Sequence, residues 1–337
     1  MQCDHCEGDH MSLECPLIDN ALHNVEVTRH GADLSKMTCY GDERQIFRKK
    51  ILKETIFMVM HYGLSEMRVF AKNNLSEWKQ KRQKLHALRH VTAANGIYNV
   101  IEVDWGDCTH RLTKLYGEVF AVLNFANAYY PGGGYQKGAS AQEENIMRRT
   151  NLHFELKGSQ IDMNTRQYKP DFTKTLEANH ADKLIHMHWD ENTPDIVFRG
   201  SEENNYQTLE ASEFFPFAEL RGAALDVKSV SLSDDEIRAE CRRRIKAQFA
   251  TLTHNKIRHV VLGAFGCGAF GNDPYMVATV YVEEIKLVRT SFDVIVFAII
   301  LSDDNVDAFQ MAFENLHEPL LNLDEQEILA GYSENKM

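Results

Sequence analysis

The stretch that most constrains this chain is Pro131-Gly132-Gly133-Gly134-Tyr135-Gln136-Lys137-Gly138-Ala139-Ser140-Ala141-Gln142-Glu143-Glu144. It is entered from the apolar run Val119-Phe120-Ala121-Val122-Leu123-Asn124-Phe125. Such a run reads as a buried strand. Three successive glycines carry no Cβ, so φ > 0 has no steric penalty and a ligand can approach main-chain N–H groups closely. Ser140 to Thr150 then reads as a helix with Gln142, Glu143 and Glu144 in its first turn. Acidic residues there favour the helix dipole whatever else they do, and a glycine turn before a helix is common. A triple glycine with Gln-Glu-Glu so close goes further and points to an anion cradle beside an acid or base. Neighbouring helical positions point about 100° apart. Glu143 and Glu144 therefore cannot aim at one atom as equivalents, and a division of labour follows.

A second glycine loop repeats the arrangement. Ile257 to Leu262 reads as a strand, and Gly263-Ala264-Phe265-Gly266-Cys267-Gly268-Ala269-Phe270-Gly271-Asn272-Asp273-Pro274 follows it. A helix runs from Pro274 to about Val288, with Asp273 as N-cap and Pro274 at the first helical position. Gly266 to Gly271 matches G-x-G-x-x-G. A dinucleotide fold would place an acidic residue at the end of the next strand. Phe292 to Leu301 instead carries Asp293 at its start, which disfavours a nicotinamide oxidoreductase but leaves a diphosphate at a helix N-terminus reasonable. Cys267 has no evident histidine partner and reads as a small buried filler rather than a reactive thiol. In an open α/β sheet both loops would lie at the carboxyl ends of their strands, where ligands bind.

Composition limits the alternatives. At 337 residues and 44% hydrophobic content the chain can bury a sizeable core. Its net charge of −12 excludes a general nucleic-acid binder. Val294 to Leu301, the longest apolar run, is far short of a membrane span, and no secretory signal opens the chain. Seven cysteines, the last four scattered, favour a reduced intracellular setting, cytoplasmic or nuclear. Cys3, Cys6, His10 and Cys15 have the ligand types of a structural Cys3His zinc site, with His5 as a spare. Segment 1–16 would then be a knuckle-like unit that folds on its metal, with single-stranded nucleic acid as a candidate partner. The lack of an aromatic residue between Cys3 and Cys15 weakens that partner.

Elsewhere the reading is coarse. Residues 17–40 form a linker. Gly41 to about Tyr62 is a helix, with Phe47, Ile51, Thr55, Met58, Val59 and Tyr62 near a 3.6-residue period. The basic stretch 76–90 is taken as a solvated face or loop. Tyr98 to Val103 is a strand, closed by Asp104-Trp105-Gly106-Asp107 as turn residues, and a short polar stretch crosses to the next strand. A helix lies near 171–180. Leu184 to Trp189 is a strand that places His186 and His188 on one face, better read as half-buried histidines than as a metal pair. Asp195 to Arg199 is a short strand, and Phe214 to Leu225 is ambiguous. Ser233-Asp234-Asp235-Glu236 is a capping box that opens a helix to about Thr253. Arg242, Arg243 and Arg244 spread around that helix and are read as solvent contacts.

Two stretches, LNFANAYYPGGGYQKGASAQEE and VVLGAFGCGAFGNDP, resemble the signatures of the microbial-type poly(ADP-ribose) glycohydrolases. RKKILKETIFMV, TPDIVFRG and FDVIVFAI extend the likeness over roughly residues 40–315. The resemblance implies an α/β fold, a macrodomain-like mixed sheet flanked by helices, with an N-terminal helical extension. Residues 41–315 would form this domain, with 316–337 as a tail. Glu144 matches the family's catalytic glutamate, and Glu143 the neighbour that holds the ribose. Gly132, Gly133 and Gly134 match the loop around the ribose and diphosphate, and Asn127 and Gln142 lie in the same signature. Gly266, Cys267, Gly268, Ala269, Phe270, Gly271 and Asn272 match the diphosphate loop, with Phe270 packing on the ribose. Ala223-Ala224-Leu225-Asp226 departs from the Ala-Ala-Pro-Asn-like stretch usual in the family. The implied reaction is hydrolysis of ribose–ribose O-glycosidic bonds by glutamate acid/base catalysis, with no cofactor. The implied partners are poly(ADP-ribose) or ADP-ribosylated macromolecules, and no membrane. Two further readings share the loops: removal of single ADP-ribose units from protein or nucleic acid, and a non-catalytic ADP-ribose reader. The intact Gln142-Glu143-Glu144 argues against the reader.

Overall fold

The computed structural model describes residues 41–89, 97–300 and 303–314. The zinc-ligand candidates Cys3, Cys6, His10 and Cys15, the linker and the tail 316–337 lie outside them. In chain order the elements are α1 (Gly41–Tyr62), α2 (Leu64–Arg89), β1 (Ile97–Ile101), α3 (Trp105–Tyr116), β2 (Ala121–Phe125) and α4 (Gln142–Arg149). Then come β3 (Ile161–Asp162), β4 (Gln167–Tyr168), α5 (Pro170–Leu176), β5 (His186–His188), β6 (Asp195–Val197) and β7 (Phe215–Gly222). The last are α6 (Asp234–His254), β8 (His259–Leu262), α7 (Pro274–Val288), β9 (Val294–Ala298) and α8 (Asp303–Glu314).

The central sheet has the order β1-β9-β8-β2-β7, all parallel, and β5 and β6 pair antiparallel with β7 at the far edge. This is the mixed sheet flanked by helices that the resemblance implies. Successive strand residues feed opposite faces. Val122, Val261 and Val296 pack with Leu52 of α1 and Trp105 and Leu112 of α3. Leu123, Val260 and Ile295 pack with Ile245 and Phe249 of α6, Tyr281 of α7 and Phe309 of α8. Each such fully buried large side chain contributes roughly 1.5–3 kcal/mol. The helical extension is part of the same body: Met58, Val59, Met67 and Ala71 of α1 and α2 cover Ile196, Phe198 and Phe214 at the β6 edge.

Two expectations change. Asp104 does not close a strand into a polar crossing. Its carboxylate accepts from the N–H groups of Gly106 (2.8 Å) and Asp107 (3.1 Å) and caps α3. Trp105, Cys108, Leu112 and Tyr116 then form the helix's buried stripe. Tyr62, counted with the apolar face of α1, is 61% exposed because the helix ends there at Gly63 (φ +81°).

Candidate active site

The two glycine loops leave the same end of adjacent parallel strands, since β2 pairs with β8 through Ala121–Val260 and Val122–Val261. Both therefore meet at the carboxyl edge of the sheet. Phe125, ending β2, packs its ring 5.9 Å from that of Phe265 in the second loop.

In the first loop, Asn127 starts the turn: its Oδ1 accepts from the N–H groups of Tyr129 (2.8 Å) and Tyr130 (2.9 Å). Gly132 and Gly133 then take φ values of +72° and +58°. A Cβ on Gly133 would lie 2.5 Å from Glu144 Oε1 and 2.9 Å from Glu143 Oε2. Only a glycine fits a left-handed position pressed against two carboxylates. α4 has no side-chain N-cap. Its start is held by Gln142, whose Oε1 accepts from Phe125 N–H (2.9 Å) and whose Nε2 donates to Leu123 O (2.7 Å). Gln142, matched to the substrate-binding signature, thus spends its amide on the end of β2.

Glu143 and Glu144 are 3% and 7% exposed. Each takes a different main-chain donor. Asn127 N–H donates to Glu143 Oε2 (2.7 Å), and Gly134 N–H donates to Glu144 Oε1 (2.7 Å). The other oxygen of each, Oε1 of Glu143 and Oε2 of Glu144, is buried without a hydrogen-bond partner among the described residues. Burial pushes the Glu143 carboxyl well above the usual range; the Asn127 N–H opposes this and the Glu144 charge adds to it. Loops built this way do not offer every N–H to a ligand: Gly133 N–H is spent on Tyr130 O (2.9 Å) and Gly134 N–H on Glu144.

A buried ion pair stands beside them, which the sequence pattern does not announce. Arg221 donates from Nε and Nη2 to the two oxygens of Glu219 (2.9 and 2.6 Å) and from Nη1 to the Tyr168 hydroxyl (3.1 Å). Asn124 Nδ2 donates to the same Glu219 (2.6 Å). Burial opposes charge on Glu219, but the Arg221 guanidinium outweighs it and holds the carboxyl below its ordinary range. The signal available is Glu219-Leu220-Arg221, two charges two residues apart inside an apolar run. Across the strand pair, burial and the Arg221 charge push the His186 imidazole down to about 3.

In the second loop, Gly266 (φ +78°) and Gly271 (φ +71°) turn the chain. Asn272 Nδ2 bridges Leu225 O (2.8 Å) and Gly266 O (3.0 Å), so this residue clamps the loop. Space beside Gly268 is open, with no atom within 4 Å of a built Cβ. The N–H groups of Gly268, Ala269 and Phe270 enter none of the loop's internal bonds. Phe270 is half-buried. Burial pushes the Cys267 thiol up to about 12, in keeping with a filler. Asp273 caps α7 through Tyr275 N–H (3.1 Å).

Other sequence candidates fall elsewhere. His188 Nδ1 pairs with Asp195 Oδ2 (2.7 Å), and Glu155 brings a third donor within 4.8 Å. Those groups are already committed: Arg68 holds Glu155, and Asn151 holds both carboxylates. Arg244 is not solvated. It is buried and donates to Ala223 O (2.7 Å), because its face of α6 packs on the end of β7. Arg242 and Arg243 pair with Glu284 (3.0 Å) and Glu240 (2.5 Å). Among the described residues no helix is long and apolar enough to cross a membrane.

Comparison with known proteins gives one family. Residues 48–192 match the model described as microbial-type PARG, catalytic domain, the family that the two loop signatures resemble. No curated protein matches the chain. Among solved structures, poly(ADP-ribose) glycohydrolase from Thermomonospora curvata is 24% identical, with a TM-score of 0.57 over 81% of this chain and 100% of that one. The same enzyme bound to the inhibitor ADP-HPD is 23% identical, with a TM-score of 0.56 over 80% and 99%. Poly(ADP-ribose) glycohydrolase from Deinococcus radiodurans in complex with ADP-ribose is 24% identical, with a TM-score of 0.53 over 75% and 98%. At these identities the structures establish the shared fold.

Proposed function

We propose that this chain, whose residues 48–192 match the catalytic domain of microbial-type PARG, is a poly(ADP-ribose) glycohydrolase with Glu144 as its acid and base. The observation that carries the assignment is the state of the two carboxylates. Each is fixed through one oxygen by a loop N–H and keeps a second, buried oxygen unspent. A carboxyl held in this way is aimed, with one oxygen left for the substrate.

Cleavage of a ribose–ribose bond needs a proton at the leaving oxygen and support for an oxocarbenium-like centre. Glu144, protonated, donates to the leaving ribose oxygen as the glycosidic C–O bond breaks. The same carboxylate then accepts a proton from water as the water oxygen bonds to the anomeric carbon. The proton count closes, since Glu144 ends protonated and one water has been consumed. Glu143 binds the hydroxyls of the ribose. Gly268, Ala269 and Phe270 present main-chain N–H groups to the diphosphate, with the N-terminus of α7 behind them. The route draws on no cofactor.

The test is incubation with poly(ADP-ribose), following release of free ADP-ribose, with Glu144→Gln alongside. Turnover by the unsubstituted protein should fall by at least about 10³-fold in the variant, within the range that general acid–base catalysis supplies, while ADP-ribose binding persists. Near-normal turnover in Glu144→Gln would remove it as the acid. Binding of ADP-ribose without release from the polymer by the unsubstituted protein would favour removal of single ADP-ribose units from acceptors, and after it the reader.

A further inference from the structure

A groove of about 660 Å³ lies between α6 and the turn that joins α5 to β5. Its lining carries Lys183, Arg238, Arg242, Arg243 and Lys246 against two carboxylates, Asp182 and Asp235. Such a concentration of cations is unexpected on a chain of net charge −12. The arginines are held by acids: Arg238 and Arg242 share Glu283, and Arg243 is paired with Glu240. Lys183 and Lys246 are exposed, and neither enters an ion pair among the described residues. Between these charges the exposed surface includes the alanine methyls of Ala239 and Ala250, with the buried Ala178 and Ala247 beneath them and Asn179 and His180 at the rim. Short apolar side chains beside long cations suit a flat ring that carries an anion.

One chain segment links the helices that flank the groove to the second glycine loop. Ala223 N–H donates to Leu176 O at the end of α5 (2.9 Å), and Ala223 O accepts from Arg244 of α6 (2.7 Å). The next residue, Ala224, stands against Gly266 of the diphosphate loop. Residues 223 and 224 thus connect α5 and α6, the helices that flank the groove, to the second glycine loop.

We propose that this groove is a second subsite for the polymer. It takes the adenosine diphosphate part of a poly(ADP-ribose) unit outside the one being cut, with Lys183 and Lys246 pairing with its diphosphate and the adenine over the alanines. The inference rests on the glycohydrolase reading. Its distinguishing consequence is that the groove contributes to the binding of chains and not of single ADP-ribose units.

The experiment uses the full chain in the Glu144→Gln background, so that the polymer stays intact, with and without Lys183→Glu/Lys246→Glu. Affinities are measured for ADP-ribose, for poly(ADP-ribose) of defined length and for single-stranded DNA, at two salt concentrations. The expected result is a loss of about tenfold or more in affinity for the polymer, a flatter salt dependence, and unchanged affinity for ADP-ribose. Unchanged polymer affinity would overturn the subsite. A loss for DNA equal to that for the polymer would overturn the assignment to poly(ADP-ribose) and give the groove to nucleic acid. Failure of the unsubstituted protein to bind or cleave any ADP-ribose ligand would instead sink the glycohydrolase reading, and is separately visible.

Discussion

Gly134 donates its main-chain N–H to Oε1 of Glu144 at 2.7 Å, across a loop of ten residues. The glycine loop therefore aims a side chain as well as leaving room for a ligand. The residue before it, Gly133, is pressed against both carboxylates at φ +58°.

Gly133→Ala should be costly on two counts. A left-handed conformation costs an L-residue about 1–2 kcal/mol, and the new methyl must push Glu143 and Glu144 from their donors. A displacement of this size at reacting groups can reduce turnover by about 100-fold. Steady-state kinetics with a thermal melt would show activity falling far more than stability. Turnover close to that of the unsubstituted protein would mean that the glutamates need not be held so tightly.

The Glu143 carboxyl makes a prediction about pH. Burial raises its folded pKa above the ordinary carboxylate value. For a raised carboxyl, the contribution to stability is present below the unfolded pKa of about 4.3 and is lost as pH rises through the folded value. Glu143→Gln removes this liability. The variant should match the unsubstituted protein near pH 4 and exceed it at pH 8, by about 2–4 °C in Tm if the gain is about 1 kcal/mol. Melting curves across that range decide it. A variant that is less stable at pH 8 would show that the buried charge is better compensated than its contacts indicate.

Much of this site is legible in the order of its residues. Strand, glycine loop and helix occur in the right order twice, and Asp273 and Ser233 cap their helices as their positions demand. The parts that escape reading share a physical cause. β7 is buried along its whole length, so it lacks the alternation that marks a half-buried strand. Its Glu219 and Arg221 interrupt the apolar run that marks buried strands, and only the fold shows that they neutralise each other. α3 is hidden because Asp-Trp-Gly-Asp is turn chemistry, and the same aspartate that makes a turn also caps a helix. Gln142 can be placed near the ligand by sequence, but which backbone its amide reaches depends on where β2 ends.

Gln142 leads to a third expectation. Its amide satisfies Phe125 N–H and Leu123 O together. Gln142→Leu keeps the bulk and leaves both groups without this partner, at about 1–3 kcal/mol for each if no water replaces it. Urea denaturation should register that loss. Because α4 is then no longer tied to β2, kcat should fall by about tenfold. A variant as stable and as active as the parent would show that the helix start is held by other contacts.

The pair Glu219–Arg221 gives the sharpest test of the electrostatics beneath the cleft. Removing one partner of a buried ion pair strands a charge and typically costs roughly 3–5 kcal/mol, whereas replacing both with apolar groups can be nearly neutral. Arg221→Met leaves Glu219 with Asn124 as its remaining donor, and Glu219→Leu leaves Arg221 with the Tyr168 hydroxyl. Each single variant should therefore lose most of its stability margin, and Arg221→Met/Glu219→Leu should recover part of it. A double-mutant cycle in urea measures the coupling directly. Additive losses would mean that the two side chains, although 2.6 Å apart, contribute to the fold separately.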